Sequence, residues 1–264
     1  MYQRPNKKYF ETPGVPEYYG DAKSIVRAEE LIYSSLRTEL KDKPILDLGV
    51  GGGRTTPHLR AISRNYIGAD YSEKMIDLCR QKFADATFEV CDATRMSIFQ
   101  DEQFAAVFVL GSGIDEVSKS DRIVALGEIY RVLKPNGIFV LSCHNLDSNP
   151  FAFSGFSFSP RATVLISDNA KRLMIYAGLS LSRLWIKLNK KGHAVIIEYQ
   201  YLPKRKENAP GMILPTYYIK KDAQRQQLLD AGFSQAHVLS MDGVTLGDGD
   251  SSKDMFLHYI VRKV

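Results

Sequence analysis

Apolar positions recur along this chain with two different periods, and the alternation between them predicts an α/β protein. Between residues 22 and 40, Ile25, Ala28, Ile32, Leu36 and Leu40 fall at helical spacing. Ile45-Leu46-Asp47-Leu48 is a short, mostly apolar run suited to a strand covered on both faces. A short helix starting near Pro57 and a strand over residues 65–69 follow. Ser72 then caps a helix whose apolar positions are Met75, Ile76, Leu78, Cys79 and Phe83. Further strands are predicted over residues 87–91, 104–110 and 138–143. A helix capped by Ser120 and running to Leu133 separates the last two.

The pattern changes after residue 150. Phe151, Phe153, Phe156 and Phe158 alternate before Pro160, a helical stretch follows, and residues 193–202 alternate like a strand. Lys204-Arg205-Lys206 and Pro210-Gly211 mark an exposed hairpin end. A helix is predicted from Asp222 to Ala231, closed by Gly232-Phe233, and residues 236–241 and 256–262 read as an antiparallel pair finishing the sheet. The Gly-, Asp- and Ser-rich link at 242–253 is expected to be mobile. In residues 1–21, Pro5, Pro13 and Pro16 argue against a regular helix. No internal repeat is visible. The expected organisation is a single domain over residues 1–264. Residues 1–40 form a lid and helix, 41–145 a ligand-binding half, 150–215 a covering insertion, and 216–264 a closing helix and strand pair.

Composition narrows the class only a little. A length of 264 residues, 44% hydrophobic and 25% charged, suits one large soluble α/β domain. The net charge of +5 permits an anionic partner without requiring one. Cys79, Cys91 and Cys143 lie in strand- or helix-like segments with no C-x-x-C spacing, so reduced core thiols are expected and disulfides or metal ligands are not. No signal-peptide pattern and no apolar run of membrane-spanning length are read, and the expected location is cytoplasmic.

The candidate chemistry sits at the ends of the predicted strands. After Asp47 come Gly49, Val50, Gly51, Gly52, Gly53, Arg54 and Thr55: a tight turn, then a helix start, where backbone N–H groups could face a ligand. Arg54 occupies the third glycine position of a dinucleotide fingerprint, and no G-K-[ST] phosphate loop is present, so NAD is not expected. Asp70 ends the second strand about 20 residues on, where a carboxylate can accept both hydroxyls of a ribose. Asp92 ends the third strand.

The D-x-G-x-G-x-G series, Asp70, Asp92 and the turn Arg131-Val132-Leu133-Lys134-Pro135-Asn136-Gly137 together resemble class I S-adenosylmethionine (AdoMet)-dependent methyltransferases over about residues 22–145. The family's R-V-L-K-P-G-G stretch has Asn136 in place of one glycine here, and asparagine also tolerates the left-handed region. The resemblance implies a Rossmann-like sheet of seven strands, the last antiparallel, with helices on both faces and an insertion after strand five. It implies AdoMet as cofactor, with Asp92 meeting the adenine amine and Cys91, Ala93 and Thr94 beside the ring. Tyr71, Ser72, Met75, Leu110, Gly111 and Ser112 complete the expected cofactor shell.

On the acceptor side, His144 at the carboxyl end of strand five is the candidate general base, since imidazole accepts protons near neutral pH. Asp115 is the second catalytic candidate, with a bracing role as the alternative. Tyr18, Tyr19, Asn145, Phe156, Tyr217 and Tyr218 are candidates for contacting or covering the acceptor. Gly111-Ser112-Gly113 lacks the D/N-P-P-[FYW] motif of nucleic-acid amino methyltransferases, and no metal-ligand cluster is read. The favoured acceptor is therefore a small molecule, methylated at O, N or C, without nucleic acid or membrane as partner. Two alternatives remain at this stage. One is an RNA methyltransferase using Lys187, Lys190, Lys191 and residues 204–206. The other is a catalytically silent AdoMet-binding subunit.

Overall fold

The computed structural model describes residues 5–21, 24–111, 113–148, 194–201 and 212–264. Expectations placed on Ser112, Phe151, Phe153, Phe156, Phe158 and the helical stretch after Pro160 lie outside the described residues. The strands are β1 (Ile45–Leu48), β2 (Tyr66–Asp70), β3 (Thr87–Val90), β4 (Phe104–Val109) and β5 (Leu133–Asn145). They continue with β6 (Ala194–Tyr201), β7 (Met212–Ile219), β8 (His237–Leu239) and β9 (Phe256–Arg262). The helices are α1 (Pro5–Phe10), α2 (Val15–Gly20), α3 (Arg27–Leu36), α4 (Thr56–Arg60), α5 (Glu73–Lys82), α6 (Lys119–Val132) and α7 (Lys221–Asp230).

Strands β3, β2, β1, β4 and β5 lie side by side in that order, all parallel. Successive strand residues face opposite sides, and this divides the core. Ile45, Ala106, Phe108, Ile138 and Val140 pack with Ala28, Ile32 and Leu36 of α3 and Ile76 and Cys79 of α5. Leu46, Leu48, Val107, Val109, Phe139 and Leu141 pack with Leu126, Ile129 and Val132 of α6 and Leu228 of α7. The sheet is thus covered on both faces, which is why these runs are apolar throughout.

Strand β5 outruns β4, and its extra residues organise the rest. β9 runs antiparallel along β5 from Ile138 to His144. His144 pairs with Phe256 of β9 and also with Tyr218 of β7. A strand residue has only two edges, so β7 takes the edge that β4 leaves at Leu141. Antiparallel β6 and β7 form the expected hairpin, and they raise the strand count from the expected seven to nine among the described residues. The hairpin's last residues therefore sit above the loop that follows β4.

Several local expectations shift. Pro5 opens α1 and Pro16 sits in the first turn of α2, positions where a missing N–H is harmless, so these prolines start helices instead of preventing them. α3 begins at Arg27, later than the periodicity suggested, because Glu29 accepts the N–H of Val26 and caps the helix there. Ser118, not Ser120, caps α6 by accepting from Asp121 N at 3.1 Å. Ser72 caps α5 as expected, and Asn136 adopts φ 59° near the start of β5. The link after β8 is pinned: Asp254 accepts from Met241 N, and the Asn145 amide donates to Ser252 O and Asp254 O.

The N-terminal helices lie on the glycine turn. Tyr9, Phe10 and Val15 bury Met75 of α5, with Tyr19 and Tyr71 at the border of that cluster. Lys82 Nζ donates to both Gly20 O and Gly52 O, at 2.8 and 2.6 Å. A Cβ on Gly52 would meet Tyr19 C and O at 2.5 and 2.6 Å. Gly52→Ala should therefore displace α2 while leaving the sheet intact. Hydrogen exchange of Gly14–Gly20 amides is expected to rise on the order of tenfold or more, with core amides unchanged. Unaltered protection of these amides would show that α2 is not seated by this contact.

Candidate functional site

Five parallel strands put their carboxyl ends on one edge, and the sheet order reverses between β1 and β4. Ligands of open α/β sheets bind at that crevice. Two glycine turns face each other across it. An ideal Cβ on Gly49 would lie 3.7 Å from Gly113 Cα, and one on Gly111 would lie 3.6 Å from Arg54 Nη2. Gly51 has φ 52° with nothing within 4 Å of its absent Cβ. That open space beside bare backbone is room a ligand can use.

The turn's amides are mostly engaged inside the fold. Gly49 N and Val50 N donate to Ala69 O, Gly53 N donates to Val50 O, and Gly51 N donates to Asp70 Oδ2. This corrects the expectation that those N–H groups face a ligand. The turn offers close approach to backbone, and recognition falls to the neighbouring side chains.

Asp47 faces inward. It is buried and its Oδ2 accepts from Thr55 Oγ1 at 2.6 Å and Tyr66 OH at 2.8 Å. Burial pushes its carboxyl up to about 6 despite those two donors. Its work is to brace the turn, and Thr55 shares it. Arg54 is likewise committed: its guanidinium makes a two-pronged bond to buried Glu29, at 2.7 and 2.8 Å. This ties α3 to the glycine turn. Val50, Leu110, Ser72 and Met75 are buried, Val50 and Leu110 in the core beside α3 and Met75 under the N-terminal helices.

Asp70 stands at the crevice. Its two oxygens accept from Gly51 N at 3.0 Å and Ser72 N at 2.9 Å. Tyr71 N is a third backbone donor, and a carboxylate has about four lone-pair sites, so capacity for ribose hydroxyls remains. Burial raises its carboxyl to about 6, partly offset by the backbone donors. Tyr71 follows it and packs near Phe10, with ring centroids 6.2 Å apart. Asp92 Oδ1 accepts from Thr94 N and Thr94 Oγ1, both at 2.8 Å, and so fixes the loop that carries Ala93. Cys91 is buried, with its thiol pushed up to about 12 by burial and by Asp92. Glu116, which the sequence reading passed over, belongs to the same region. Burial first, then the charges of Asp70 and Asp115, push it up to about 8. Near neutral pH Glu116 therefore keeps its proton, and Asp70 is the ionised carboxylate of the pair.

The acceptor-side candidates divide. His144 Nδ1 lies 2.9 Å from Asp115 Oδ2, which also accepts from His144 N at 2.7 Å. The imidazole is held between the rings of Tyr218 and Phe256, each 4.7 Å away by centroid. Asp115 is fully buried and ion-paired with Arg122 at 2.5 Å, so it braces His144 and does not face an acceptor. Asn145 is buried with its amide holding the loop after β8, and Tyr217 packs in the core over Arg122. Both are structural neighbours of the site. Tyr18 is exposed on α2 and Tyr19 packs on Phe10. Arg122 and Glu29 carried no local sequence signal, because each meets its partner only through the fold.

Comparisons with known proteins agree with this geometry. Residues 45–137 match the family described as methyltransferase domain. A demethylmenaquinone methyltransferase of Clavibacter sepedonicus is 31% identical over 134 residues, 48% of this chain and 53% of that protein. A carboxy-S-adenosyl-L-methionine synthase of Haemophilus ducreyi is 27% identical over 58% of this chain and 75% of its own length. The chain thus spans about half the length of the first of these curated relatives. The CcbJ methyltransferase of Streptomyces caelestis shares the fold with a TM-score of 0.59 at 14% identity, covering 94% of this chain and 96% of that one. Residues 45–137 thus match a methyltransferase domain, and the chain shares its fold with AdoMet-dependent methyltransferases. No helix among the described residues is long and apolar enough to cross a membrane.

The residues present fit that cofactor: the open space at Gly51 and the Asp70 carboxylate match a nucleoside. Asp70 should make binding depend on pH. Its carboxyl titrates at about 6, and only the ionised form accepts from both hydroxyls while keeping its backbone donors. As pH falls through 6 the proton competes with the ligand, so AdoMet affinity should drop by up to about tenfold per pH unit. Asp70→Ala should cost roughly 1–3 kcal/mol at neutral pH and flatten that dependence. Calorimetry between pH 5 and 8 tests both; a variant with wild-type affinity would remove Asp70 from ribose recognition.

Proposed function

We propose that this chain moves the methyl group of AdoMet to an O, N or C atom of a small-molecule acceptor, with His144 taking the acceptor's proton where one must leave. The observation that carries this reading is the convergence of two features on one sheet edge. These are the Asp70 carboxylate beside the glycine turns, and His144 braced by Asp115 at the end of β5. AdoMet, when bound, supplies an electrophilic methyl on a positive sulfur. The protein's part is to hold the nucleoside, orient the acceptor and exclude water. Asp115 is ion-paired with Arg122 and acts as an acceptor, so His144 Nδ1 carries the hydrogen and Nε2 carries the lone pair.

Other observations support a small acceptor. Relatives are named for demethylmenaquinone, and a Burkholderia thailandensis protein of the same fold (TM-score 0.53, 13% identity) is named for 1,6-didemethyltoxoflavin. The β7 strand above the post-β4 loop suits an insertion over residues 150–215 that covers the acceptor, with α1 and α2 closing the cofactor side. Buried thiols, Cys79 among them at about 12, suit a reducing, cytoplasmic setting.

The first experiment is an acceptor screen with methyl-labelled AdoMet on metabolite extract and, in parallel, total RNA. Label in small metabolites supports the reading, and label confined to RNA overturns it. With the acceptor in hand, His144→Ala should lower kcat about 10²–10⁴-fold and leave AdoMet affinity unchanged. Full turnover in that variant would remove His144 as the base.

A further inference from the structure

A fully buried arginine lies behind the His144–Asp115 pair. Arg122 is 0% exposed although it belongs to helix α6. Its Nη1 donates to Asp115 Oδ1 at 2.5 Å and to Ile114 O at 2.9 Å. Nη2 donates to Gln224 Oε1 at 2.6 Å, and Nε to Gln227 Oε1 at 2.9 Å, both on α7. The Tyr217 ring of β7 lies over the guanidinium at 5.0 Å, and Tyr217 N donates to Asp115 O at 2.8 Å. One cation therefore joins α6, the post-β4 loop, α7 and the returning strand of the insertion.

We propose that Arg122 is a positioning residue that fixes the tautomer of His144 through Asp115, keeping the lone pair on Nε2 for the acceptor; this rests on the role given to His144 above. The chemistry follows from Asp115's two oxygens. Oδ1 is engaged by Arg122, and Oδ2 accepts both the backbone N–H and Nδ1–H of His144. As long as Arg122 balances it, Asp115 remains an ionised acceptor that can bond only to a protonated Nδ1. Without Arg122, Asp115 would be a fully buried, unpaired carboxylate, a state proteins relieve by taking up a proton. A protonated Asp115 can donate to Nδ1, which favours the other tautomer and moves the hydrogen to Nε2. A guanidinium serving only to glue helices together would leave the ring's tautomer unchanged when replaced.

The test needs no acceptor. In full-length protein with ¹⁵N-labelled histidine, ring nitrogen shifts report the tautomer at a pH where the ring is neutral, and His144→Gln assigns its signals. Wild-type protein is expected to show the Nδ1–H form. Arg122→Met should shift the tautomer ratio on the order of tenfold toward Nε2–H, the equivalent of losing one charge-assisted bond. Arg122→Gln, which is polar but uncharged, covers the case in which the methionine variant does not fold and should shift the ratio in the same direction, whereas Arg122→Lys, which keeps the charge, should retain the Nδ1–H form. Asp115→Asn should shift the ratio too. A wild-type Nε2–H ring, or an unchanged ratio in a folded variant that removes the Arg122 charge, would overturn the proposal. Failure of the His144 assignment is a separate result: His144→Ala would then keep full turnover while the tautomer still responded to Arg122.

Discussion

The bond from Gly51 N–H to the Asp70 carboxylate joins the two parts of the molecule that must agree for a nucleoside to be held. It ties the turn after β1 to the end of β2, at the point where neighbouring strands stop and the backbone has to reverse. Gly51 can donate there only because it sits at φ 52°, a conformation that glycine adopts without a Cβ penalty. Asp70 in turn is buried and held by Ser72 N as well, so its oxygens are aimed before any ligand arrives. Preorganisation of that kind lowers the cost of ordering the site on binding.

Around this contact the fold uses buried ion pairs and hydrogen bonds as connectors between elements distant in sequence. Glu29 joins Arg54 across 25 residues, linking α3 to the glycine turn. Asp115 joins His144 across 29 residues, and Arg122 reaches Gln224 across 102. Buried pairs of this type contribute little net stability, since desolvation offsets much of their attraction. Their value is in specifying one arrangement: each has a geometry that a shifted helix or a slipped strand would leave unsatisfied. The cofactor side and the acceptor side are each registered in this way against the parallel sheet, and the loop carrying Gly111, Gly113 and Asp115 is common to both.

Strand β5 explains how β7 comes to lie beside His144. Because it extends beyond β4, its final residues are flanked by β9 on one edge and β7 on the other. His144 thereby gains an aromatic neighbour from each strand, and the two rings restrict its orientation. The lone histidine of the Cys143-His144-Asn145 stretch becomes a held group through strand pairing with residues 74 and 112 positions away.

Much of this was determined by the sequence alone. The parallel core, the glycine turn, the acids at Asp70 and Asp92, the left-handed Asn136 and the Ser72 cap all rest on local rules: period, turn geometry and cap chemistry act within a few residues. The same rules misjudged Pro5 and Pro16, since the rule against proline holds inside a helix and not at its start. They also assigned outward roles to Asp47, Arg54 and Asn145 and left Asp115 between an outward and a bracing role, all polar residues beside the right motifs. Only the tertiary structure decided which of them face inward, because a polar side chain turns to whatever partner the fold brings near. Thr55 and Tyr66 claim Asp47, Glu29 claims Arg54, Arg122 claims Asp115, and the loop after β8 claims Asn145. Those partners are set by how sheets and helices pack, which no local pattern encodes.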